Sequence, residues 1–135
     1  MSSSLNYKWP IEFPIDVPGE EVLPASGYVY RLVNQVPPRP NDFRMHHLDN
    51  PHFNYSSKNR HKGYGVSVWS KLDSLVRAKK RYSAPEQFGN KKIVGGELCH
   101  SLGAIPNIIA NDGHVTLWKT VGAEPHLHIC IEELL

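Results

Sequence analysis

The sequence predicts an α+β fold: a mainly antiparallel, split β-sheet with one clear helix and a proline-rich N-terminal arm. Runs of β-branched and aromatic residues bounded by turn formers recur at 28–33, 64–69, 92–98, 113–118 and 126–132. Only the stretch that follows Ser70 spaces its apolar residues for a helix. Eleven prolines and ten glycines punctuate the rest, so short elements joined by turns are expected. A chain of 135 residues, 40% hydrophobic, suffices for one core and reads as one domain over 1–135.

The arm covers 1–26. Trp9-Pro10, Phe13-Pro14, Val17-Pro18 and Leu23-Pro24 each place a proline that removes an amide donor and pushes its predecessor to extended geometry. Its Trp9, Phe13, Ile15 and Val17 are expected to lie over the domain as an irregular edge strand, because disordered tails carry few large apolar groups. Gly27 opens the first strand, YVYRLV, and Val36-Pro37-Pro38-Arg39-Pro40 ends the region. A long polar stretch, 41–62, holds His46, His47, His52 and His61 and reads as a structured loop.

YGVSVW is the second strand and leads into the helix. Ser70 is placed as its N-cap, with Asp73 three positions on and Leu72, Leu75, Val76 and Ala78 as the apolar stripe. Arg77, Lys79, Lys80 and Arg81 crowd the last turns, where cations oppose the helix dipole. Gly95-Gly96 inside the next strand predicts a bulge or a close backbone approach. The segment 103–109 is a connector or short strand, and 113–118 and 126–132 are the last two strands.

Charge is unevenly distributed. Between Lys58 and Lys92 stand ten basic residues against Asp73 and Glu86, whereas the whole chain has a formal net charge of only +2. A positive face on an otherwise acidic body selects a phosphate-bearing partner; its structural reading is a solvated helix face. No apolar run approaches the roughly 20 residues of a membrane span, and no leader is evident, so a soluble, cytoplasmic protein with no membrane partner is expected. Cys99 and Cys130 lie in apolar runs and read as free thiols of a reducing compartment.

Three strands carry a chemically capable residue inside an apolar run: Arg31 in YVYRLV, Ser67 in YGVSVW, and His114 with Thr116 in GHVTLW. Alternation puts Arg31 on the face of Val29 and Val33, opposite Tyr28, Tyr30 and Leu32. A guanidinium there needs a partner, either a protein carboxylate or the phosphates of a nucleotide.

On these residues the chain resembles, over about 28–118, the ADP-ribosyltransferase superfamily and the related RNA 2'-phosphotransferases, small split-sheet folds that grip NAD or a similar nucleotide. The resemblance implies that Arg31 contacts the nucleotide, that GVSVWSKLDSLVRA supplies Ser67 and Ser70, and that His114 or Glu97 is the late-strand catalytic group. It further implies NAD as cofactor, lying across the central strands with its phosphates near Arg31 and the basic segment, Arg77 included. Tyr30, Tyr64 or Trp69 would stack on a ring. Catalysis would then come from positioning and electrostatic stabilisation as nicotinamide departs, with His114 as general base or hydrogen-bond donor. The expected protein is a nucleotide-binding one, ADP-ribosyltransferase-like, of a small bacterial or phage toxin or defence type.

Other readings stand beside it. His126-Leu127-His128 with Glu132 looks like the first metal motif of cupins, although metal is the less expected cofactor. His114-Val115-Thr116-Leu117 matches one of the two HxTx elements that two-histidine phosphoesterases need. The basic segment with Tyr55, Tyr64, Trp69 and Tyr82 suits single-stranded RNA. A toxin-antitoxin or immunity component would instead dock a protein partner through the apolar arm.

Overall fold

The computed structural model describes residues 7–19, 21–56 and 59–134. Among these residues seven strands are present: β1 (Val22–Pro24), β2 (Gly27–Val33), β3 (Val66–Trp69), β4 (Lys92–Leu98), β5 (Gly103–Pro106), β6 (His114–Lys119) and β7 (Ile129–Glu132). They form one sheet in the order β1-β5-β6-β3-β2-β4-β7, and every pairing is antiparallel. Besides the short α1 (His46–Asp49), one regular helix, α2 (Leu72–Arg81), packs on β2 and β3. The fold is α+β.

Alternation selects the core. Val29 and Val33 of β2, Val66 and Val68 of β3, Val94 of β4, and Val115 and Leu117 of β6 are at most 3% exposed and pack together with Phe43 and Ile129. Each such burial contributes about 1.5–3 kcal/mol relative to an exposed side chain. On α2, Leu75 is 1% exposed while Asp73 and Arg77 face solvent as an i,i+4 pair at 3.3 Å.

Several expectations are corrected. One further strand exists, β1, which pairs with β5; it is three residues long and ends in proline, so it carries little periodic signal, while 103–109, read as a connector or short strand, supplies the short strand β5. Around Trp9, Phe13, Ile15 and Val17 the arm is not an edge strand: Phe13 N–H donates to Pro10 O and Val17 N–H to Pro14 O, both at 3.0 Å, closing two turns, and the arm reaches the sheet edge only as β1. Trp9 stacks on Phe13 and Val17 is buried, but Ile15 is fully exposed. Tyr64 does not belong to β3; it ends the 3-10 turn Arg60–Tyr64. Ser70 is not the helix cap. Its Oγ–H donates to Gly113 O at 3.0 Å, and the capping position falls to Lys71. The last strand starts at Ile129 because Pro125, with its fixed φ, opens a 3-10 turn over Pro125–Leu127.

The glycine pair of β4 forms the expected bulge, where the pairing with β7 shifts between Gly95 and Gly96. A Cβ on Gly96 would stand 1.9 Å from His128 O, so the backbones meet where only glycine fits. The described part of the loop before β3 is structured: a 3-10 turn over Pro40–Phe43 leads to α1, and His46 N–H donates to Gly65 O at 2.9 Å, fastening α1 beside the start of β3.

Candidate functional site

β2 pairs with β4 over seven positions but with β3 through a single register pair, Tyr30 with Trp69. Beyond that pair the sheet opens, and the Arg31 side chain bridges the opening. Its Nη1–H donates to the Ser67 carbonyl at 2.7 Å and its Nε–H to the Asp42 carbonyl at 2.8 Å, with Phe43 beneath the guanidinium at 5.3 Å from the ring centroid. None of the ion pairs among the described residues includes Arg31. Burial pushes its pKa down to about 10, against the supporting negative charges of Asp49 and Asp42, so it stays cationic at neutral pH.

Asp42 is the neighbouring carboxylate, and its oxygens are committed elsewhere. Only 4% exposed, it accepts the Asn34 N–H at 2.9 Å through Oδ1 and the Arg39 N–H at 2.9 Å through Oδ2, which ties down the proline turn after β2. Arg31 is therefore anchored by carbonyl dipoles and keeps a net charge beside a cleft of about 740 Å³.

That cleft is lined by Arg31, Asn34, Asn41, Arg44, His46, Asp49, Ser67 and Trp69 on the sheet and loop side, and by Leu75, Ala78, Tyr82, Phe88 and Lys91 on the helix side. Arg44 is paired with Asp49 at 3.4 Å, and the Lys91 ammonium donates to Asn34 Oδ1 at 2.7 Å. Three fixed cations thus face one carboxylate, and two flat rings, Trp69 and Tyr82, flank them. A cleft of this size with a few convergent polar groups suits a small ligand.

The expected residues are distributed unequally around it. Arg31, Ser67 and Trp69 line the cleft. His114 stands behind them, its Nε2 3.0 Å from Ser67 Oγ and its ring edge-on to Trp69 at 5.0 Å. Burial lowers the His114 pKa, helped by the Lys62 and His46 charges and opposed by Asp112. Tyr30 packs edge-on against Tyr28 over Gly95, on the face opposite Arg31. Tyr64 meets Phe13 and His47, and Arg77 is exposed, donating to Asp73 and to the buried Ser74. Glu97 is exposed on β4.

For the metal alternative, His126 sits on the 3-10 turn, His128 lies 3.9 Å from Cys99 Sγ, and Glu132 is exposed on β7. The two imidazoles do not share a strand face. Among the described residues no group of three or more His, Cys, Asp or Glu side chains is disposed to hold a metal ion. Among the same residues no helix is long and apolar enough to cross a membrane.

One lining residue, His46, entered the sequence reading only within the histidine-rich loop, and one residue charge-coupled to the site, Lys119, did not enter it. His46 lines the cleft and shares a hydrogen bond between its Nδ1 and Tyr55 Oη; burial lowers its pKa, with Asp49 opposing and Arg31 and His47 assisting. Lys119 at the end of β6 is half-buried, and burial followed by the Arg31 charge pushes its pKa down, with Asp49 opposing. The histidine-rich loop was a signal for His46; nothing in the local pattern marked Lys119. No protein-family model, no curated protein and no solved structure matches the chain.

Proposed function

We propose that the cleft binds a phosphate-bearing nucleotide, with Arg31 as its principal anion-binding group. The observation that carries this is a half-buried guanidinium held by two backbone carbonyls, without an ion-paired carboxylate, at the wall of a positively lined cleft. A largely desolvated charge with carboxylates near it but none in direct contact is a group with interaction capacity left for a ligand. Lys91 adds a second cation, the Asn34 and Asn41 amides add polar contacts, and Trp69 or Tyr82 offers a ring face.

The donor set suits NAD, the nucleotide implied by the resemblance to ADP-ribosyltransferases. NAD supplies a ribose carbon whose bond to nicotinamide is weakened by the cationic ring. Arg31 and Lys91 would hold the pyrophosphate, and Trp69 would orient a ring. Ser67 would contact the ribose side with its hydroxyl fixed by His114. His46, kept neutral by burial, is the imidazole that faces the cleft and is placed to take a proton from an acceptor. His114 acts through Ser67 in this reading, as a positioning residue.

Calorimetric titration of the full chain with NAD, and with AMP and inorganic pyrophosphate as fragments, tests it. Binding by the wild type that is lost in a folded Arg31→Lys variant is the expected result. Equal affinity in both, or no binding of any of the three ligands, overturns it.

A further inference from the structure

A second cavity, of about 710 Å³, lies beyond the C-terminal end of α2, with Lys79, Lys80, Lys91 and Lys92 on its walls. Lys91 lines both this cavity and the cleft, so the two adjoin at that residue. Part of the charge has a structural role: Lys79 Nζ donates to Gly89 O at 3.1 Å. Lys80 and Lys92 do not. Both are exposed, and neither takes part in an ion pair or side-chain hydrogen bond recorded among the described residues. Glu132 and Glu133 also line it, at the end of the strand that pairs with β4, so the cavity keeps an excess of two positive charges, four lysines against two glutamates.

We infer that this lysine-walled cavity holds the phosphate backbone of a single-stranded polynucleotide, one end of which reaches the cleft past Lys91. Lysines clustered on one wall make a track for repeated phosphates. The rings that follow on the cleft side, Tyr82 and Phe88 and then Trp69, supply the stacking faces that unpaired bases need. Tyr82 is 43% exposed and meets Phe88 edge-on at 5.4 Å, so a ring face is open beside the lysines. An acidic peptide would use the cations and leave those rings without a role, which favours the polynucleotide. The backbone site stands independently of the nucleotide reading. Only the role of the polynucleotide as acceptor for chemistry in the cleft rests on it.

Fluorescence anisotropy with end-labelled 12-nucleotide single strands, one RNA and one DNA, tests this on the full chain over a series of salt concentrations. Wild type is expected to bind at least one of them with a negative salt slope. A Lys80→Glu/Lys92→Glu double variant should bind more than tenfold more weakly, with the slope reduced by about 1.4 for two phosphate contacts. Arg77→Glu, outside both cavities, should bind within twofold of wild type. Preference for RNA reports 2'-hydroxyl contacts and equal binding reports backbone recognition; either outcome supports the site. Absence of binding to both strands at low salt overturns it. So does equal weakening by Arg77→Glu, or equal displacement by polyglutamate. NAD titration of the double variant separates the two readings: retained NAD affinity with lost oligonucleotide affinity leaves the nucleotide cleft intact.

Discussion

Ser67 Oγ lies 3.0 Å from His114 Nε2, although the two residues are not partners in the β3–β6 ladder. Ser67 is opposite Thr116 and His114 is opposite Trp69, so the contact is a diagonal across the sheet. Trp69 closes one side of it with its ring edge-on to the imidazole. The hydroxyl is thereby fixed at the wall of the cleft, and the imidazole is kept out of water behind it.

The two half-buried imidazoles make stability fall at mildly acidic pH. Burial lowers the folded-state pKa of both His46 and His114 from the ordinary 6.5. The unfolded chain therefore binds more protons than the folded one just below pH 6.5, and unfolding becomes easier as the pH falls through that range. The loss begins near 6.5 and is complete below the folded-state values. Scanning calorimetry from pH 8 to pH 5 is expected to show a falling midpoint, and His114→Gln to show a smaller fall than wild type. A flat profile would contradict the burial of these groups.

Arg31 holds the mouth of the sheet opening as well as facing the ligand cleft. Replacement by Met removes two charged-donor hydrogen bonds and leaves the Ser67 and Asp42 carbonyls short of a partner. The expected loss is about 2–4 kcal/mol, because part of the hydrogen-bond loss is offset by no longer desolvating a charge. Urea denaturation measures it. A change under about 1 kcal/mol would mean that the carbonyls find water and the bridge is dispensable.

Gly95 and Gly96 are adjacent on β4 but differ in what surrounds them. A Cβ on Gly95 would meet Tyr28 Cε1 at 2.9 Å and Tyr30 Cδ1 at 3.0 Å, both in side chains able to turn aside. On Gly96 it would meet the His128 carbonyl at 1.9 Å, which is backbone. Gly96→Ala must open the β4–β7 bulge and should cost more than about 3 kcal/mol, whereas Gly95→Ala should cost about 1–2. Chemical denaturation of both variants checks the order. Equal effects would show that β7 is loosely held.

How far the fold could be read from sequence depended on how locally each element is determined. YVYRLV and GVSVW form strands because alternation and β-branching act over a few residues, and α2 forms where the apolar stripe falls. β1 escaped because it is a three-residue segment held only by β5 across a long separation, and β5, left between connector and short strand, is fixed by its pairing with β1 and β6. Pro125 was the local signal against a strand at His126 and was outweighed by the regular HxH spacing. The cleft was half legible: Arg31 and Ser67 stood out as polar interruptions of apolar strands. The single-pair contact between β2 and β3, and the docking of α1 that brings in His46 and Asp49, are tertiary features with no local pattern.

Lys91 is the residue through which the two cavities make different predictions. Its ammonium donates to Asn34 Oδ1, a residue of the cleft, while its neighbour Lys92 lines the second cavity. Reversing its charge should therefore affect both ligands. In Lys91→Glu, affinity for NAD and for a single strand should each fall about tenfold or more, since one lost phosphate contact and one added repulsion together exceed about 1.4 kcal/mol. Lys92→Glu should weaken only the single strand, and Arg31→Lys chiefly NAD. Titrating the three variants with both ligands gives six affinities. If Lys91→Glu changes one ligand and spares the other, the cavities are separate sites and no strand passes between them.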